Sequence, residues 1–291
     1  MTTTRGPLAR VRRLLAASHP GPTVAVTVLA GILAAALQFS PERLAVVMVA
    51  VLAGQLSIGW SNDWLDAARD REVGRSDKPV AQGLVSVAEV RRAALVSVVI
   101  AVAVSFALGL GAGLAHTILV ASGWAYNVWL KRTPASVVPF LVSFGLLPAV
   151  VTLASPEPAA PAWWAVTVGA VFGVAIHFTN VLPDLDDDAA TGVVGLPHRL
   201  GRRASGLVAF VALAVAASLV AIGQLTDPAG LSPLRIAIAL GGAVVTIGIA
   251  VLGARRVLTR APDRGLFRLI IVAGLVVTVQ LAFAGTTLVA A

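Results

Sequence analysis

Cysteine is absent from the 291 residues, which excludes disulfides, thiolate metal sites and thiol nucleophiles together. Charge is scarce too: Asp, Glu, Lys and Arg make up 12% of the chain, against about a quarter in an ordinary soluble domain. With 58% hydrophobic residues and a mean hydropathy of +0.90, water is not the solvent for most of this surface. The N-terminal stretch lacks the short apolar core and small-residue cleavage site of a signal peptide. Residues 1–21 therefore read as a retained basic cytoplasmic tail carrying Arg5, Arg10, Arg12 and Arg13. Acidic residues are the rarer sign, 14 against 22 basic, giving a net charge of +8. The basic residues are spread over many short loops, which points to topology and the membrane surface rather than to nucleic acid.

What the chain does have is long apolar runs. Segments of roughly 17 to 25 such residues span a bilayer as helices. Nine fit: 22–39, 43–61, 89–109, 112–130, 136–154, 162–182, 204–224, 233–253 and 267–290. Breakers mark several turns: Pro41, then Pro156, Pro158 and Pro161, then Pro228 and Pro233. With nine spans, all of the 22 basic residues except Arg43 and Arg235 fall on one side. The excess of Lys and Arg in cytoplasmic loops makes that side the inner one, with the N-terminus inside. The expected fold is an all-α membrane protein: one domain over 22–291, with loops at about 62–88 and 183–203.

The few acidic residues are clustered. Asn62, Asp63, Asp66 and Asp70 follow the second span, and Asp184, Asp186, Asp187 and Asp188 follow the sixth. Both clusters lie on the basic side, where unpaired carboxylates beside apolar helices would be costly to desolvate. If the second span continues as helix through the first cluster, offsets of three, four, seven and eight residues put Asn62, Asp63, Asp66 and Asp70 on one face. Asp184 and Asp188 stand four apart, with Pro183 perturbing the helix before them. Two acidic faces meeting across a bundle suit Mg²⁺, which takes carboxylates, waters and substrate phosphates as ligands. A diphosphate would complete that coordination. Lys131 and Arg132, with Tyr126 about a turn earlier, and Arg69, Arg75 and Lys78 are the candidate phosphate contacts. Asp186 reads as a solvated neighbour, His116 and His177 as packing or cavity-lining residues, and Trp163-Trp164 as an interfacial belt.

At these residues the chain resembles the UbiA superfamily of intramembrane prenyltransferases. Its Asn-Asp-x-x-Asp-x-x-x-Asp signature is matched by Asn62, Asp63, Asp66 and Asp70, and its Asp-x-x-x-Asp signature by Asp184 and Asp188. Lys78-Pro79 with Gly83, the Tyr126 to Arg132 segment, Asn180 and the Gly192 to Gly201 stretch match further elements. A Lys-Thr or Lys-Ser pair common after the second signature is replaced by Val194-Gly195. The resemblance implies a helical bundle with a central cavity capped by the two motif loops. Mg²⁺ would be held by Asn62, Asp66, Asp70, Asp184 and Asp188, with Asp63 as a ligand or a supporting group. Asp66, Asp184, Lys131 and Tyr126 would be catalytic. The implied reaction transfers an isoprenyl group from a prenyl diphosphate to a lipophilic, aromatic acceptor inside the cell membrane, with no obligate protein partner. An intramembrane terpene cyclase would carry the same motifs without an acceptor. A cation-coupled transporter would instead need its acidic residues near mid-membrane.

Overall fold

The computed structural model describes residues 6–226, 231–260 and 264–290. Arg5 and Pro228 fall outside that range, as do the side chains of Asp187 and Arg264. The described residues are mostly helical, and the nine apolar stretches fall on nine different helices. The last stretch, 267–290, runs past the end of its helix at Ala282 into a separate 3-10 turn, Gly285–Leu288. The order is α1 (Pro7–Ala16), α2 (Pro20–Ala36), α3 (Pro41–Glu72), α4 (Val87–Ala107), α5 (Leu110–Val128) and α6 (Val138–Thr152), then α7 (Trp163–Val181), α8 (Leu185–Ala190), α9 (Leu196–Leu225), α10 (Pro233–Thr259) and α11 (Arg264–Ala282). By length and composition six of these can cross a membrane: α3, α4, α6 with its preceding turn, α7 with its following turn, α9 and α10. The bent pair α1–α2 makes a seventh if taken as one span.

Neighbours in sequence pack as neighbours in space, and α11 returns against α2 to close the ring. The main apolar core fills the space between α2, α3, α5, α6 and α7, with a second cluster between α9, α10 and α11. Large apolar side chains such as Val99, Val211 and Val244 stay exposed on the outside, as a lipid-facing surface requires.

Local sequence explains the ends of these helices. Proline occupies the first turn of α2, α3, α9 and α10, where its missing N–H costs nothing. Ser86 and Glu89 form a reciprocal capping box on α4. Gly201 lies inside α9 at φ 79° and ψ 168°, a backbone region open essentially to glycine, so the helix kinks there. Arg43 and Arg235, the two basic residues that break the charge pattern, act as staples at the end remote from the aspartates. Arg43 donates to the carbonyls of Leu108 at 3.1 Å and of Ala154; Arg235 donates to Ala284 O at 3.0 Å and Thr287 Oγ1 at 2.8 Å. Both satisfy carbonyls left open where helices end.

Two expectations change in detail, and the reading of His116 and His177 as packing residues holds. Part of the N-terminal tail is helix α1. Trp163 is exposed as a belt residue would be, but Trp164 is buried in the core and donates to Thr287 O at 3.1 Å. His116 and His177 are core residues held by Ser105 and Ser136.

Candidate functional site

α3 does run through the first acidic cluster, ending at Glu72, so Gln55, Ile58, Gly59, Asn62, Asp63, Asp66 and Arg69 line one wall of a cavity of about 470 Å³. The rest of the lining includes Tyr126 from the end of α5, Lys131 from the 3-10 turn Leu130–Arg132, Phe140 and Phe144 from α6, and Asn180 from α7. Asp184 closes a 3-10 turn at Leu182–Asp184, and α8 restarts after it to carry Asp188. Pro183 thus breaks the helix between α7 and α8, and both carboxylates still reach the cavity. The loop after α3 contributes Arg75, Asp77 and Lys78.

Charge is compensated within this rim. Lys131, almost fully buried, donates to Asp66 at 2.5 Å. Lys78 reaches back to Asn62 Oδ1 at 3.1 Å, Asp63 at 2.9 Å and Asp70 at 3.2 Å. Arg69 joins the two clusters, lying 3.2 Å from Asp66, 3.4 Å from Asp70 and 3.4 Å from Asp188. Arg75 pairs with Asp77 at 2.9 Å and with Asp184 at 3.4 Å. Six acidic side chains therefore meet four basic ones at this rim. In the loops these contacts shift ionisation. Burial pushes the Asp188 carboxyl up to about 6, against Arg69 and with Asp184 and Asp66. Burial disfavours the Lys78 ammonium, but Asp63 and Asp70 prevail and its pKa rises. A hydrogen bond from Arg75 holds Asp77 down at about 2.

Most of the expected residues come together here, with two exceptions. Asp70 is buried against Lys78 and Arg69 beside the cavity rather than lining it. Arg132 is exposed and outside the cavity, so of the Lys131-Arg132 pair only Lys131 faces in. Asp186 is solvent-exposed and paired with Arg202, as expected of a bystander.

Three further residues were not apparent from the sequence. His19, at the α1–α2 corner, approaches Asp63 at 3.1 Å. Asn127 accepts from Asn62 at 3.2 Å and donates to Ile58 O and Ser61 Oγ, both at 2.8 Å, fixing the side chain that opens the motif. Gln55 lines the cavity two turns below Asn62; its spacing of seven was the available signal.

Among the described residues no three carboxylates or histidines converge as a ready metal site. The donor chemistry nevertheless suits a hard divalent cation: Asn62 and the carboxylates are all oxygen donors, gathered at one rim and held by cations that a phosphorylated ligand can recruit.

A ring of apolar helices around an ion-paired acidic cavity at one end defines a helical membrane protein. The chain belongs to the UbiA prenyltransferase family, whose model matches residues 24–272. It is similar in fold to a UbiA homolog from Archaeoglobus fulgidus bound to GPP and Mg²⁺, with a TM-score of 0.71 at 14% identity, covering 95% of this chain and 99% of that one. The apo structure of a UbiA homolog from Aeropyrum pernix K1 matches with a TM-score of 0.69 at 18% identity, covering 89% and 96%. A digeranylgeranylglyceryl phosphate synthase matches with a TM-score of 0.65 at 14% identity, covering 94% and 99%. No curated protein matches the sequence.

Proposed function

We propose that this protein is a Mg²⁺-dependent prenyltransferase that moves an isoprenyl group from a prenyl diphosphate to a lipophilic, aromatic acceptor and releases pyrophosphate. The observation that carries this is the rim of the cavity: carboxylates from both signatures and four cations interlocked above apolar walls. Similar folds solved with GPP or DMAPP and Mg²⁺ support the choice of substrate and metal. In this proposal α2–α7 and α9–α11 supply nine spans of the cell membrane, with residues 1–21 cytoplasmic and 22–291 as one domain. The site then opens on the cytoplasmic side, the side favoured by the basic loops.

The cations do the first work. Arg69, Arg75, Lys78 and Lys131 exchange a carboxylate for phosphate oxygens; arginine offers two parallel donors and lysine a point charge. Asn62, Asp66, Asp184 and Asp188 would hold Mg²⁺ from the cavity lining, Asp70 would join them once Lys78 and Arg69 turn to phosphate, and Asp63 would join them or steady Lys78. Held by these residues, Mg²⁺ would supply Lewis-acid neutralisation of the charge on the departing diphosphate. The C–O bond breaks with its electron pair on pyrophosphate, leaving an allylic cation. The rings of Tyr126 and Phe140, packed edge to face at 5.1 Å, stand beneath the rim, where aromatic faces attract such a charge. Leu119, Phe144 and Leu147 keep water from the apolar chain. An acceptor carbon or oxygen then captures the cation and loses a proton. The same aromatic pair favours a second reading, cyclisation of the prenyl diphosphate without an acceptor.

Purified protein in nanodiscs, given a panel of prenyl diphosphates with Mg²⁺ and candidate phenolic acceptors, tests the proposal by pyrophosphate release and product analysis. Release should vanish with EDTA and in Asp66→Ala and Asp184→Ala. A prenylated acceptor supports transfer, and a terpene formed without acceptor replaces it by the cyclase. Release that survives EDTA and both substitutions overturns the chemistry.

A further inference from the structure

The α1–α2 corner carries a feature that the cavity does not use. α1 turns through 82° from α2, so when α2 crosses the bilayer α1 lies nearly in the membrane plane, at the level of the acidic rim. One of its faces is fixed to the protein. Trp60 Nε1 donates to Leu14 O at 2.8 Å, Arg10 pairs with Glu89, and Ala17 is buried against Trp60 and Val90. The backbone at Ser18 presses so closely on Gly59 that a Cβ there would stand 2.1 Å from Ser18 O. The opposite face is different. Leu8, Val11 and Leu15 recur at i, i+3 and i+7 and stay 86%, 55% and 45% exposed. Arg12 is exposed beside this stripe, and Arg10 remains 70% exposed despite its partner.

We propose that α1 is an interfacial helix that seats Leu8, Val11 and Leu15 in the headgroup layer of the bilayer and binds anionic phospholipids through Arg10, Arg12 and Arg13. Three observations select this occupant. The helix lies across the axis of its neighbour, it pairs an apolar stripe with a cluster of arginines, and α1 itself contains no acidic residue, Glu89 on Arg10 coming from α4. Its inner face is already bound, so the outer stripe is what remains to be covered. The seat adjoins the cavity: His19, which follows the corner directly, touches Asp63. The inference requires a membrane-embedded chain but not prenyl transfer, so its test reads no catalysis.

A cysteine-free sequence permits a single spin label at a chosen position. The full chain bearing Val11→Cys or Arg12→Cys would be labelled with a nitroxide and placed in nanodiscs of phosphatidylcholine, with or without phosphatidylglycerol. The ratio of collisions with oxygen to those with a water-soluble nickel chelate should be several-fold higher at position 11 than at 12. Phosphatidylglycerol should raise the ratio at position 11 further, and Arg10→Gln with Arg13→Gln should abolish that rise. Equal nickel access at both positions overturns the interfacial seat. A ratio indifferent to phosphatidylglycerol overturns anionic headgroups as the partner. Dipolar broadening between labels at position 11 would instead assign the stripe to a second copy.

Discussion

Lys131→Met offers the sharpest test of the ion-paired rim. The Lys131 ammonium and the Asp66 carboxylate are 4% and 3% exposed and lie 2.5 Å apart. Removing one member of such a pair leaves the other charged and desolvated, at a cost of about 3–5 kcal/mol. Arg69, 3.2 Å from Asp66, retains part of the compensation, so Lys131→Met should lose about 3 kcal/mol, near the lower end of that range. Asp66→Asn strands Lys131 in the same way and should cost a similar amount. The double variant removes both charges, so its loss should fall short of the sum by about 2 kcal/mol. Denaturant unfolding in mixed micelles, without metal or substrate, gives the three values. The coupling should also persist at high salt, because screening acts weakly on buried pairs. Losses that add to within about 0.5 kcal/mol would refute the reasoning, since the two groups would then not face each other in the resting protein.

Gly59→Ala forces a Cβ onto the Ser18 carbonyl and should cost about 1–3 kcal/mol by overpacking, whereas Gly248→Ala in α10, with open space around it, should be neutral or stabilising; melting temperatures compare the two. Gly201→Ala puts a side chain at φ 79° and should destabilise by about 1–3 kcal/mol, read by the same melts. Asp77 is held below its ordinary pKa by Arg75, so its contribution is present above about pH 4 and is lost as the pH falls towards 2. Its carboxylate is mostly exposed, so that loss is below about 1 kcal/mol, and Asp77→Asn should flatten the acid limb of the melting curve by only that much.

The long helices were legible because hydrophobic runs and carboxylate spacing act locally. The offsets of three, four, seven and eight residues within Asn62–Asp70 called for continuous helix beyond the apolar span, and α3 extends to Glu72. Pro183 announced the break before α8. What stayed hidden is which charge meets which. Lys78 turns back 15 residues and Lys131 crosses 65 to reach Asp63 and Asp66, distances that only the closed bundle defines. The 3-10 turn Leu130–Arg132 changes the register after α5, so Lys131 is buried and Arg132 is not. α1 was hidden by its composition: three arginines in ten residues read as a polar tail, although Leu8, Val11 and Leu15 already kept helical spacing.

The pairing at the rim also bears on how the chain is made. A helix with three buried aspartates is a poor candidate for entering a bilayer alone. α3 brings much of its own remedy, because Arg69 lies on the same helix and Lys78 only a loop away. Both precede α4 in the chain, and synthesis proceeds from the N-terminal end, so these partners of the first cluster are made before the later helices. Lys131 then arrives on the turn after α5, while Asp184 and Asp188 come last of the rim and meet Arg75 and Arg69. The order of translation is thus an order of charge settlement: a chain that has reached Arg132 already contains the basic partners of Asp63, Asp66 and Asp70.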